Sequence, residues 1–141
     1  MKRLFLLCAL LMAALPASAE TKTAIFAGGC FWCIEADFEK LDGVIAVESG
    51  YTAGHLANPT YQQVSAGGTG HAEAVRVSYD AAKVSYGKLL DYFWRHIDPT
   101  VKNRQFCDSG SQYRSGIYFQ NRDEEKLARA SRTALEKSGR F

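Results

Sequence analysis

Ala27-Gly28-Gly29-Cys30-Phe31-Trp32-Cys33-Ile34-Glu35 is the stretch on which the reading of this chain turns. Before it, Thr23-Ala24-Ile25-Phe26-Ala27 has the make-up of a short buried strand. After it, Phe31, Ile34, Phe38 and Leu41 recur at i, i+3, i+7 and i+10, a helical stripe. Two glycines join the elements and let the backbone turn without Cβ clashes. Cys30 therefore falls at or just before a helix N-terminus, where unpaired N–H groups and the macrodipole favour negative charge. A thiol so placed gains thiolate character and becomes a nucleophile. A buried structural cysteine is the plainer alternative, but strand, Gly-Gly, Cys and helix in this order favour reactivity.

The N-terminus has its own signature. Met1-Lys2-Arg3 precedes an apolar run from Leu4 to Leu15, then Pro16-Ala17-Ser18-Ala19. A positive start, a short apolar run and an A-x-A site make a secretory (Sec) signal peptide over 1–19, and the run is too short to span a bilayer. The mature domain is then 20–141, in a secreted or periplasmic setting. Cleavage removes Lys2 and Arg3 and no acid, so the formal charge goes from +2 to zero. A neutral chain gives no reason to expect nucleic acid or an anionic membrane as partner. Its length suits one compact domain, expected as a monomer. Cys8 leaves with the signal, and Cys30, Cys33 and Cys107 remain. An odd number reads as redox chemistry rather than a disulfide scaffold.

Further along, Val44–Ser49 reads as a second strand after a turn at Asp42-Gly43. Gly50 to Gly70 reads as a long loop, functional because it carries Tyr51, His55 and Tyr61, with His71 just after it. Ala72–Tyr79 alternates as a third strand with Glu73, Val75, Val77 and Tyr79 on one face. A carboxyl beside valines resists ionisation and can donate a proton near neutral pH. A solvated Glu73 at a frayed strand start is the alternative, and spacing leaves the two open. Tyr86, Leu89, Leu90, Phe93, Trp94 and Ile97 mark the clearest helix, which stops at Asp98-Pro99. Lys102–Gly110 reads as a loop, and Gln112–Gln120 as a fourth strand with Tyr113, Ser115, Ile117 and Phe119 on one face. Asn121 or Asp123 caps a last, mostly polar helix running towards Glu136. The order β-α-β-β-α-β plus a helix predicts an α+β fold: a two-layer, ferredoxin-like split βαβ sandwich, its mixed sheet carrying helices on one face.

Cys30-Phe31-Trp32-Cys33 is also a C-x-x-C. There is no second such pair, and His55, His71 and His96 lack paired ligand spacing, so no metal site is expected. A thioredoxin-like dithiol usually has its aromatic before the first cysteine, whereas here the aromatics lie between the two.

Gly29-Cys30-Phe31-Trp32, Gly50-Tyr51-Thr52, Asn58-Pro59-Thr60-Tyr61, Thr69-Gly70-His71-Ala72-Glu73-Ala74-Val75, Phe93-Trp94, Asp98-Pro99 and Gly110-Ser111-Gln112-Tyr113-Arg114-Ser115 are collinear over nearly all of the mature chain. Together they resemble the A-type peptide methionine sulfoxide reductases. The resemblance implies an enzyme that reduces methionine-S-sulfoxide, free or in oxidised proteins, in protein repair. It implies Cys30 as the nucleophile and Glu73 as the proton donor. Tyr61 and Tyr113 match the oxygen-binding tyrosines, Phe31 and Trp32 the aromatics that hold the substrate methyl, and Asp108 an acid near the site. No bound cofactor is implied, only an external dithiol such as thioredoxin or a thioredoxin-like protein. Departures are Cys33 where many relatives have glycine, Ile97 between His96 and Asp98, and an end at Phe141 where relatives continue with a further segment, often carrying the resolving cysteine. The resolving thiol is then Cys33, Cys107 or an external one, with Cys33 favoured because it lies one helical turn from Cys30. The competing classes are a general dithiol–disulfide oxidoreductase using Cys30 and Cys33, and a non-catalytic binding domain.

Overall fold

Phe26 lies between two helices and explains the layering of the chain. The computed structural model describes residues 20–141; the signal-peptide reading of 1–19 lies outside the described residues. Strand β1 (Thr21–Gly28) turns Ala24 and Phe26 to one face, where both are fully buried. The Phe26 ring stacks on Phe38 of helix α1 (Phe31–Phe38) and on Phe93 of helix α3 (Tyr86–Arg95), each at 5.1 Å between centroids. Phe26→Ala would cost about 3–5 kcal/mol by leaving this stack hollow. Strand β2 (Val44–Thr52) and strand β3 (Ala72–Asp80) add Val47, Val75, Val77 and Tyr79 to the same core.

The sheet order is β2-β3-β1-β6, where β6 is Ser115–Ile117. Every hydrogen-bonded pair in it is antiparallel. Because β1 and β2 both run against β3, they run parallel to each other with β3 between them, which is the split βαβ arrangement. The opposite face is lined by the small residues Ala27, Ala72 and Ala74, with Ile25 and Tyr118 packed against them. Helix α4 (Arg122–Lys137), capped by Asn121 accepting from the Glu124 N–H, rests on α3 through buried Ala128 and a 3.0 Å bond from Trp94 Nε1 to Ser131 Oγ.

Three segments differ from the sequence reading. The long loop is shorter, because β2 runs on to Thr52 and helix α2 (Tyr61–Ser65) forms inside it. The reason is a capping box: the Gln63 N–H donates to Thr60 Oγ1, and the Thr60 N–H donates to Gln63 Oε1. The loop before Tyr113 holds a two-stranded hairpin, β4 (Arg104–Gln105) with β5 (Asp108–Ser109). The fourth sheet strand is only three residues long, and Tyr113 lies in a 3₁₀ turn (Ser111–Tyr113) rather than on its face. The cause lies in β1: its last ladder partners are Ala27 with Gly116 and Gly28 with Ser115, after which it turns away at Gly29.

Candidate active site

Cys30 is the N-cap of α1. Its carbonyl accepts from the Cys33 N–H at 3.1 Å and the Ile34 N–H at 3.3 Å, while its side chain makes no capping bond. The first-turn donor is satisfied from another element: the Phe31 N–H donates to Glu73 Oε2 at 3.0 Å. Glu73 is 2% exposed and stands on the core face of β3, so the structure decides between the buried and solvated alternatives in favour of burial. Burial pushes its carboxyl above the ordinary range, the Phe31 bond opposes this, and nearby Asp108 adds to the rise. A half-buried thiol and a buried carboxyl whose ionisation is disfavoured thus meet at one helix end.

Beside them stands an aromatic wall. Phe31 lies 5.2 Å from Trp32 and 6.2 Å from Tyr61, and Trp32 and Tyr61 stack at 5.4 Å. Phe31 is buried, whereas Trp32 and Tyr61 are open to solvent. Tyr113 closes another side: burial first, then Glu73, Asp108, Tyr61 and Cys30, push its phenol up. The elements carrying the two tyrosines are tied together by Gln112 Nε2 donating to the Ser65 carbonyl at 3.1 Å. Arg114 donates to the carbonyls of Gly70 and His71, holding the entry to β3 against the 3₁₀ turn.

Cys33 is exposed, one turn along α1, and burial, then Cys30, then Asp108 and Asp37 push its thiol up. Cys107 is also exposed and sits in the hairpin turn before Asp108. The structure therefore brings Cys30, Cys33, Glu73, Phe31, Trp32, Tyr61, Tyr113 and Asp108 into one neighbourhood. Among the described residues no group of three or more His, Cys, Asp or Glu is placed to hold a metal ion.

The roles of three contributors escaped the sequence reading, although Tyr51 and Thr60 stand in stretches quoted there. Gln105 is 1% exposed and fully used: its Oε1 accepts from the Asp98 N–H, and its Nε2 donates to the Asp98 carbonyl and Ser115 Oγ, at 2.7–2.8 Å. Its stem lies against Gly29, next to Cys30. Tyr51 is the ladder partner of Glu73 and packs 5.6 Å from Phe31. The third is Thr60, whose T-x-x-Q spacing is a legible start signal for α2. Gln105 has no local signal, because its partners Asp98 and Ser115 lie 7 and 10 residues away in irregular spacing and Gly29 lies far before it in the chain.

The sequence model of the peptide methionine sulfoxide reductases matches residues 22–141. The chain belongs to the peptide methionine sulfoxide reductase family. It is 51% identical over 119 residues to the peptide methionine sulfoxide reductase MsrA of Limosilactobacillus reuteri, spanning 84% of this chain and 68% of that protein. It is 50% identical to MsrA 2 of Caulobacter vibrioides, over 97% of this chain and 72% of that one. Methionine sulfoxide reductase A of Corynebacterium diphtheriae has a similar structure, with TM-score 0.76 and 35% identity over 87% of this chain and 58% of that one. Mxr1 of Saccharomyces cerevisiae in reduced form gives TM-score 0.77 and 33% identity, over 86% and 72% of the two chains. These reductases agree with the α+β sandwich in fold and mark the chain as an oxidoreductase rather than a binding module.

Proposed function

We propose that this reductase converts methionine-S-sulfoxide, free or in oxidised proteins, to methionine through Cys30 and Glu73. The reaction class, thiol-dependent reduction of methionine sulfoxide in protein repair, follows from family membership. The observation that carries the residue assignment is the 3.0 Å bond from the Phe31 N–H to Glu73 Oε2, beside the N-cap cysteine.

The Cys30 thiolate attacks the sulfoxide sulfur while the Glu73 carboxyl gives its proton to the sulfoxide oxygen. Attack forms a bond between Cys30 Sγ and the substrate sulfur; that bond and the S–O bond then break as the hydroxyl passes to Cys30 Sγ, so the substrate sulfur gains two electrons and Cys30 loses two. Methionine leaves, and Cys30 is left as a sulfenic acid. The O–H groups of Tyr61 and Tyr113 donate to the oxygen as charge grows on it, and the Phe31 and Trp32 rings hold the methyl. Burial disfavours the ionised form of Glu73, and the charge of Asp108 adds to that effect. Cys33 then attacks the sulfenic sulfur, its proton leaving with the hydroxide as water, and a Cys30–Cys33 disulfide forms. An external dithiol such as thioredoxin restores both thiols. The order Met1–Ala19 supports export, which would place the enzyme and its dithiol donor in a periplasm or outside the cell.

The test is single turnover with N-acetyl-methionine sulfoxide. The parent protein should release one N-acetyl-methionine per chain with the loss of one free thiol pair, and folded Cys30→Ser should release none. Disulfide exchange in the parent without sulfoxide reduction would favour a general dithiol oxidoreductase instead.

A further inference from the structure

The hairpin that carries Asp108 displays a side chain with no role in the fold. Gln105 pairs with Asp108, so Phe106 and Cys107 form its two-residue turn. Phe106 has φ +49°, at the first turn position, where positive φ favours glycine. A bulky aromatic in this region of backbone space is an outlier, and such strain clusters at binding and catalytic sites. The residue is 69% exposed, so the strain is not offset by burial within the chain.

The placement is next to the chemistry. Gln105, the residue before Phe106, lies against Gly29, the residue before Cys30. Asp108, two residues after it, acts on Glu73, Tyr113 and Cys33. The same neighbourhood exposes Trp32 at 58% and Tyr61 at 42%, stacked on each other. The surroundings of the thiol thus present aromatic rings to solvent on three separate elements, α1, α2 and the hairpin turn.

We propose that Phe106 is a specificity-determining contact that binds an apolar residue flanking the oxidised methionine in an extended polypeptide. This rests on the reductase reading above. Free methionine sulfoxide has charged groups where a polypeptide has neighbours, so it offers nothing apolar beyond its own side chain. In an extended chain the flanking side chains follow at about 3.5 Å per residue and reach past the pocket to its surroundings. The preferred substrate is therefore an unfolded or locally opened protein segment in which methionine stands among apolar residues.

The experiment compares two blocked peptides, Leu-methionine sulfoxide-Leu and Ser-methionine sulfoxide-Ser, in the parent, Phe106→Gly and Phe106→Leu. The parent should favour the leucine peptide in kcat/KM. Phe106→Gly should lower that preference by roughly 5–10-fold, the scale of one apolar contact, mainly through KM, and Phe106→Leu should keep part of it. Thermal melting controls the fold, since Phe106→Gly removes the backbone strain and should melt no lower than the parent. A leucine-to-serine ratio equal in parent and Phe106→Gly overturns the proposal. Calorimetric binding of the unoxidised Leu-Met-Leu and Ser-Met-Ser peptides separates it from the reductase reading. A leucine preference in binding that Phe106→Gly removes upholds the contact even in a protein that turned over no sulfoxide, whereas equal binding of the two peptides by the parent overturns it.

Discussion

Gly29 and Gln105 touch so closely that position 29 has no room for a side chain. A Cβ on Gly29 would lie 2.5 Å from the Gln105 Cβ, and Gly29 itself has φ +94°. Gln105 is held by three hydrogen bonds to Asp98 and Ser115, so it has no room to retreat. The residue that sets the direction of Cys30 is therefore gripped from the far end of the chain.

Gly29→Ala should destabilise the protein by at least about 2 kcal/mol, combining an unfavourable φ with overpacking. Urea unfolding measures it. A variant as stable as the parent would mean that this contact is looser than it stands here.

Glu73→Gln should slow sulfenic-acid formation by roughly 10²-fold or more, because the amide donates a hydrogen bond but not a proton. The folded carboxyl is raised above its unfolded value by burial. Its contribution to stability is therefore fully present below the unfolded value of 4.5 and is lost as pH rises through the higher folded value. Glu73→Gln should remove that segment of the stability–pH curve and so gain on the parent at neutral pH. Denaturation at a series of pH values checks this, and single-turnover rates check the chemistry.

Cys33 should be alkylated with a pH midpoint above that of an ordinary thiol, since burial and the Cys30 thiol both raise it. Asp108→Asn should lower that midpoint, because it removes a negative charge that contributes to the rise. Mass spectrometry after one equivalent of methionine sulfoxide should find a Cys30–Cys33 peptide. A Cys30–Cys107 link would transfer the resolving role to the hairpin turn.

Thr60→Ala should cost about 1 kcal/mol locally by deleting the cap of α2. Tyr61 stands at the first position of that helix, stacked on Trp32, so the loss should appear as a higher KM for sulfoxide substrates. Amide exchange at Gln62 to Ser65 should quicken in parallel. Unchanged exchange there would show that the aromatic stack, not the cap, holds the helix.

Periodicity and punctuation determined most of the fold. The stripes Phe31/Ile34/Phe38 and Tyr86/Leu89/Leu90/Phe93 and the alternation through Glu73, Val75, Val77 and Tyr79 are local patterns, and each became the buried face of its element. Gly28-Gly29 before Cys30 was equally legible, because a turn into a helix leaves its mark in adjacent residues. What only the tertiary structure decided depends on groups far apart in sequence. The state of Glu73 rests on a bond to Phe31, 42 residues away, and on burial under neighbouring elements. Tyr113 left the expected strand face because β1 runs out of ladder partners at Gly28, which no feature near Tyr113 records. The hairpin of Gln105 to Asp108 carries no alternation long enough to read, and its place beside Cys30 is set by a side chain wedged against Gly29. Local patterns report which face of an element is apolar; desolvation, register ends and remote hydrogen bonds exist only once the elements have met.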